Sequence, residues 1–197
     1  MAGTYPQYPS FEAVNFQTKT PTLSVETASG KSQRVGMGHS FYTFSADYNN
    51  MTKRESRIVH GFLAAQYGKL EDFDIVLPEI SYSTVQNQYS NIPYTTSSAS
   101  KGANSVEIEN YANNGELLNS GDFFKFNNHS KVYQCVVTWY QNEPLYFAGG
   151  LVEDVPSGTG LTIDAVPFRV ILSNSVQEWE TGIGGITTMS VDFREVW

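Results

Sequence analysis

One amphipathic helix that follows an extended segment constrains this chain more than any other feature. Tyrosine and phenylalanine alternate with polar residues over 39–48, which predicts a strand with one buried face. Thr52 and Glu55 have the spacing of a capping box, in which each side chain accepts a hydrogen bond from the other residue's amide. Gly68 can adopt the left-handed conformation that ends helices. The pattern therefore predicts a helix over about 52–67, after which the chain becomes extended again.

The predicted helix needs a sheet to cover its apolar side. A single helix between strands buries its apolar stripe on the sheet that those strands build. Gly61 weakens the helix by about 1 kcal/mol relative to alanine, which indicates that another element packs closely against the backbone there. The stripe recurs at three- and four-residue spacing and consists of Ile58, Val59, Phe62, Leu63 and Ala65.

The composition favours β-structure around a sizeable core. Hydrophobic residues make up 40 % of the 197 residues, and twelve Tyr and twelve Phe bring the aromatic share to 14 %. Aromatic side chains fit strands well. The length predicts one domain, with or without an insertion. Charged residues make up only 16 %, which indicates a surface that partners cover in part.

Charge and cysteine content exclude several classes of function. The net charge of −8 argues against binding that follows nucleic-acid phosphates, because such binding needs clustered Lys and Arg. Cys135 is the only cysteine, so a disulfide within the chain and a CxxC metal site are excluded. Its apolar neighbours predict a buried small side chain. The sequence has neither a membrane-helix run nor the features of a signal peptide, so we expect synthesis in a reducing cytosol.

The predicted segments form a core from both ends of the chain, with an insert between them. Residues 1–80 and 165–197 are expected to build the β core with its helix. A polar loop is expected over 81–103, and a small inserted β unit over 104–164. In that unit, the run GDFFKF and the run KVYQCVVTWY (131–140) flank a short polar loop, which predicts a hairpin.

The two ends of the chain carry further signals. Residues 1–10 contain two prolines and two tyrosines, which is typical of an extended arm that becomes ordered against a neighbour. Apolar residues alternate over 166–172 and again over 189–193, which predicts antiparallel strands that complete the sheet under the helix. Trp197 falls in phase with the second apolar face.

No residues form a recognisable chemical site. His39, His60 and His129 are far apart and lack the spacing of metal ligands, although the His129 side chain can close the hairpin loop. Patterns for phosphate-binding loops and nucleophile elbows are missing, and nothing assembles a nucleophile, a base and an orienting group. We therefore predict a non-enzyme without catalytic, cofactor-binding or metal residues.

Two groups of acidic residues are interpreted without a catalytic or metal-binding role. Glu153 and Asp154 precede a Pro-Ser-Gly turn and fit a solvated end of a loop. Glu71, Asp72 and Asp74 flank a predicted strand and lack the spacing of a calcium loop.

The order of three sequence phrases resembles tail components of tailed bacteriophages. The first phrase begins at FEAVNF and continues through the helix to Phe62-Leu63, Gly68 and Phe73. The second phrase is GDFFKFNNHSKVYQ. The third phrase runs from VPFRVIL to FREVW. The resemblance covers most of the chain except 1–10 and 81–103. The nearest group is the distal tail proteins and the tail-tube-like ring components.

The resemblance implies a β-sandwich or barrel with one packed helix, assembled into a ring that is usually hexameric. Such a ring connects the tail tube to the baseplate or tail tip and lines the DNA conduit of the virion. Its partners would be copies of itself and neighbouring tube, hub or fibre proteins, with DNA passing through without specific binding. An acidic conduit wall would repel phosphate and let DNA slide.

A second function stays open at this point. A β-sandwich adhesin or carbohydrate-binding module could stack sugars on exposed aromatic rings. Trp139, Trp179 and Trp197 are the candidates for such stacking, although each also fits a core or an interface.

Overall fold

The structure is a computed structural model, and it describes residues 3–85, 92–109, 116–175, 178–182 and 184–197. These residues are mainly β, and the part of the chain described contains one helix. This confirms the predicted mainly β fold with one packed helix. Part of the predicted polar loop, 86–91, lies outside the described residues.

Nearly all of the secondary-structure elements are strands. In chain order they are β1 (Ala13–Lys19), β2 (Thr22–Glu26), β3 (Ser32–Gly36), β4 (Phe41–Met51), α1 (Lys53–Ala65), β5 (Phe73–Ile75), β6 (Tyr94–Thr95), β7 (Ser105–Glu109), β8 (Glu116–Leu118), β9 (Phe123–Phe126), β10 (Val132–Gln134), β11 (Trp139–Tyr140), β12 (Pro144–Tyr146), β13 (Leu161–Thr162), β14 (Phe168–Leu172), β15 (Trp179–Thr181) and β16 (Thr187–Glu195).

The main sheet has six antiparallel strands. Its order is β1-β4-β16-β14-β5, and β15 pairs with β16 beside β14. Alternate residues of β4, β14 and β16 are buried in one hydrophobic cluster, as the period-two patterns predict. The antiparallel pairing of β14 with β16 confirms the predicted C-terminal strands.

Helix α1 begins as predicted but buries a narrower face. The Thr52 hydroxyl accepts from the Glu55 amide, and the Glu55 carboxylate accepts from the Thr52 amide, so the capping box is present. Val59 and Leu63 are buried, whereas Ile58 is exposed, so the predicted stripe is wrong there. Ala65 is also exposed. The helix is rotated about its axis so that its buried line runs through Ser56, Val59, Leu63 and Gln66.

The predicted close approach at Gly61 is also wrong. No atom lies within 4 Å of the position that a Cβ at Gly61 would occupy, so this part of the helix faces open space. Tyr67 and Gly68 both adopt positive φ after the helix, at 51° and 68°. The end of the helix thus follows the predicted left-handed turn.

The N-terminal segment is part of the molecule's own core, so the predicted free arm is wrong from residue 3 onward. Tyr5 is 1 % exposed and lies among the rings of Phe62, Phe73 and Phe193. Its hydroxyl accepts from the Tyr48 hydroxyl at 3.0 Å. Backbone hydrogen bonds to Asp74 in both directions hold the segment along the edge of β5.

The central part of the chain has a second hydrophobic core. Short sheets with the orders β10-β9-β13, β12-β7-β6 and β11-β8 surround it. The β9–β10 hairpin is as predicted, but 131–140 is not one strand: β10 ends at Gln134, and β11 pairs with β8 instead. Strand β6 lies inside the predicted polar loop, and Thr95 there is fully buried, so that loop is partly structured.

Truncating Tyr5 tests whether the N-terminal segment belongs to the core. We expect Tyr5→Ala to lower the free energy of unfolding by about 3–5 kcal/mol, as for other buried aromatic truncations. Tyr8→Ala is the matched control, because Tyr8 is 61 % exposed and its loss should cost less than about 1 kcal/mol. Urea unfolding followed by circular dichroism measures both. Equal, small losses would mean that the segment does not pack as described.

Two glycine substitutions with opposite expected effects on the free energy of unfolding test the helix. Gly61→Ala should stabilise the protein by about 0.5–1 kcal/mol, because alanine favours the helix and finds open space. Gly68→Ala should destabilise it by about 1 kcal/mol or more, because residue 68 has φ of +68°. The midpoints of urea unfolding report both changes. A destabilising Gly61→Ala would mean that something covers this face.

Candidate functional site

The three histidines have separate structural surroundings. His39 Nδ1 lies 3.1 Å from the Gly149 carbonyl oxygen. His129 bridges its own loop, with Nδ1 2.9 Å from Asn128 Oδ1 and Nε2 2.8 Å from the Tyr133 hydroxyl. This confirms its predicted place in closing the hairpin. The described residues contain no group of three or more His, Cys, Asp or Glu that could hold a metal ion.

His60 has the least satisfied surroundings of the three. Its ring packs edge-on against Trp179, with centroids 4.0 Å apart. Its Nε2 is buried and has no hydrogen-bond partner within the described ranges. Burial lowers the pKa of His60. The ring is thus a packing group between α1 and β15.

The acidic residues singled out in the sequence form ordinary contacts. Arg169 donates to Asp72 at 2.6 Å and to Asp74 at 3.4 Å, and the hydrogen bond lowers the pKa of Asp72. Glu153 and Asp154 are both exposed, as predicted for a loop end. The Asp154 carboxylate accepts from the Lys101 amide at 2.7 Å.

A buried ion pair joins the two hydrophobic cores. Lys131 Nζ lies 2.6 Å from Glu195 Oε2, and the side chains are 3 % and 0 % exposed. Glu195 continues the apolar alternation of β16, and it also accepts from the backbone amides of Tyr42 and Val132. The Lys131 ammonium lies over the Tyr42 and Trp197 rings, 4.5 and 4.8 Å from their centroids.

This pair has no room for a substrate and serves as a structural joint. Burial raises the pKa of Glu195 and lowers that of Lys131, and the contact between the two groups opposes both shifts. Sequence reasoning missed the pair because Glu195 falls in a run of alternating apolar residues. Trp197, which was expected on that apolar face, is 47 % exposed and covers the pair from outside.

The outer face of the main sheet forms an acidic groove. The groove is open, has a volume of about 940 Å³, and no Lys or Arg is among its described lining residues. Asp47 and Asp192 point into it because they alternate with buried neighbours on β4 and β16. Its acidic residues are Glu12, Asp47, Glu178, Glu180 and Asp192.

The β2–β3 hairpin projects from the body and covers nothing. Every residue of both strands is exposed. The register pairs Leu23 with Val35, and the Met37 amide continues it by donating to Pro21. One face of the hairpin is therefore apolar, while the opposite face carries polar residues. The apolar face consists of Leu23, Val25, Val35 and Met37, which are between 51 % and 61 % exposed.

The aromatic candidates for sugar stacking differ in exposure. Trp139 is 2 % exposed, and its Nε1 donates to the Glu143 carbonyl, so it is a core residue. Trp197 covers the buried ion pair. Trp179 is 55 % exposed beside the acidic groove and is the one that a sugar ring could reach most directly.

Comparisons with known proteins add no relative. The chain matches none of the protein-family models and none of the curated proteins with which it was compared. Across the described ranges, no helix has both the length and the apolar character needed to cross a membrane.

A double-mutant cycle on the buried pair tests its role as a joint. Lys131→Met alone should cost about 3–5 kcal/mol of unfolding free energy, because it leaves the Glu195 carboxylate buried without its cation. Glu195→Gln should also destabilise, whereas the double variant should cost less than the sum of the two, with a coupling of about 1–3 kcal/mol. Chemical denaturation measures all four proteins.

The half-exposed Arg169–Asp72 pair provides the control for this cycle. Asp72 is 47 % exposed, so Asp72→Asn should cost no more than about 1 kcal/mol. Additive effects of the Lys131 and Glu195 substitutions would contradict the role of the pair as a structural joint. A loss of unfolding free energy for Lys131→Met as small as that of the control would contradict it as well.

Proposed function

We propose that this chain is a structural protein of a phage virion that forms a ring in the tail. In this proposal the ring connects the tail tube to the baseplate or tail tip and lines the DNA conduit. Its partners are copies of itself and the neighbouring tube, hub or fibre proteins. The proposal combines the sequence resemblance with the surfaces of the folded chain.

The bare apolar face of the β2–β3 hairpin is the observation that carries the proposal. The hairpin adds no side chain to either core, and isolated two-stranded hairpins are at best marginally stable in water. An amphipathic hairpin that leaves four apolar side chains half-exposed gains its stabilisation when another molecule covers them. Identical copies are the simplest such partners, because most soluble oligomers are built from identical copies in closed symmetric arrangements.

The acidic groove supports the second part of the proposal. A conduit wall for DNA must not hold phosphate groups, and a surface lined with carboxylates repels them. The outer face of the main sheet has this character over the whole groove. With this face turned inward, DNA would pass without being bound.

Opposite faces of one strand provide a matched test of assembly. Leu23→Asp places a charge on the apolar face, whereas Ser24→Asp places the same charge on the polar face. Both residues are exposed, so both variants should keep the wild-type unfolding free energy within about 0.5 kcal/mol. We expect only Leu23→Asp to weaken self-association, by about tenfold or more in dissociation constant. Light scattering over a concentration series measures association.

The protein composition of purified virions tests whether the chain is part of the particle. Peptide mass spectrometry should detect the chain in virions, and virions made with Leu23→Asp should contain much less of it than virions made with Ser24→Asp. Absence of the wild-type chain from virions would refute the proposed function. Equal incorporation of both variants would refute the part assigned to the hairpin.

A further inference from the structure

The β2–β3 hairpin and the central β unit lie at the same end of the main sheet. The hairpin leaves β1 at Lys19, which pairs with Phe41 at the end of the β1–β4 ladder. The chain returns through His39 and Ser40, and these residues contact Gly149 of the central unit: His39 Nδ1 is 3.1 Å from the Gly149 carbonyl oxygen. A Cβ on Gly149 would lie 2.6 Å from Ser40 Oγ, so the two segments are tightly apposed.

The central unit exposes a second apolar surface near this junction, here called the insert patch. It consists of Val136, Val137 and Tyr146, which are between 45 % and 53 % exposed. The Val136 amide donates to the Tyr146 carbonyl at 3.1 Å, so these segments are neighbours. The Ala148 amide donates to the Gln134 carbonyl, which places the patch only a few residues from Gly149.

The two apolar surfaces carry opposite charges at their edges. Lys31 is exposed at the edge of the apolar face of the hairpin, two residues from Gln33, which pairs with Val25 on that face. Glu107 and Glu143 are exposed beside the insert patch, and Glu107 pairs across the strands with Pro144. An apolar centre with a charged rim is the usual anatomy of a protein interface, and opposite rim charges favour encounter and correct register.

We infer that the apolar face of the β2–β3 hairpin of one copy packs on the insert patch of the adjacent copy. The inference rests on the proposed ring of identical copies and identifies the two surfaces that meet in it. Both surfaces are exposed in the single chain, so the hairpin does not cover its own patch. Copies in a ring are related by rotation without a shift along the axis. The base of the hairpin touches the central unit, so both surfaces belong to the same end of the main sheet.

The contact gives the central unit a function in assembly. It supplies the receptor for a neighbour's hairpin, and the buried Lys131–Glu195 pair fixes that receptor relative to the main sheet. The contact is heterologous, because it joins two different surfaces, the hairpin face of one copy and the insert patch of the next. Such contacts form rings when the rotation closes.

Cysteine pairs placed on two different copies test the contact. Leu23→Cys, Val25→Cys and Val35→Cys proteins are each mixed with Tyr146→Cys protein and oxidised, both as purified chains and after assembly into particles. The native Cys135 is buried and its pKa is raised to about 11, so it contributes little thiolate. We expect a disulfide-linked dimer that contains one chain of each variant for at least one of these mixtures. Ser24→Cys and Arg34→Cys, on the opposite hairpin face, are the matched controls and should give none.

Charge reversal provides an independent measurement. Lys31→Glu should weaken self-association about tenfold, and adding Glu107→Lys to the same chain should restore it. Adding Glu12→Lys in the acidic groove is the control of equal charge and should not restore it.

The outcomes separate this inference from the proposed function. Restoration by the groove variant, disulfides only between two copies of the same variant, or crosslinking from the control face would overturn the hairpin–patch contact. If the chain is present in virions but its hairpin crosslinks elsewhere, the proposed function stands and the inference fails. If the contact forms while the chain is absent from virions, the inference stands and the phage assignment fails.

Discussion

The buried pair between Lys131 and Glu195 is the interaction on which the arrangement of the molecule depends. Glu195 lies at the end of the last strand of the main sheet, whereas Lys131 directly precedes strand β10 of the central unit. The same carboxylate accepts the amides of Tyr42 and Val132, so one side chain connects three segments. A buried charge without its partner is costly. The central unit is therefore docked in one orientation and is not a loosely attached appendage.

This joint explains how a small chain can present surfaces to neighbours without losing its shape. Two separate hydrophobic clusters account for the stability of the body, and the N-terminal segment closes one of them with Tyr5. The hairpin, the insert patch and the acidic groove lie outside both clusters. The body fixes the insert patch, the acidic groove and the base of the hairpin relative to one another, which is the property that the proposed assembly requires of its subunit.

Much of the main sheet could be predicted from the sequence, because its strands are long enough to show alternation. The capping box likewise located the start of the helix. The burial of Tyr5 could not be predicted, because one aromatic residue in a polar segment does not form a periodic pattern. The ion pair of Glu195 could not be predicted either, because its partner Lys131 lies 64 residues away in the sequence. Apart from the predicted β9–β10 hairpin, most strands of the central unit contain two or three residues, too few to show alternation. Apolar residues of the β2–β3 hairpin alternate like core residues, and only the fold reveals that they are exposed.

A density map of intact virion tails tests the central claim, that this chain acts by contact with copies of itself, most directly. The account predicts a closed ring of this chain, with the apolar face of every β2–β3 hairpin covered by protein and the acidic groove facing the channel. A tail without this chain would contradict the account. A chain present as a single subunit, with its hairpin in solvent, would contradict it equally.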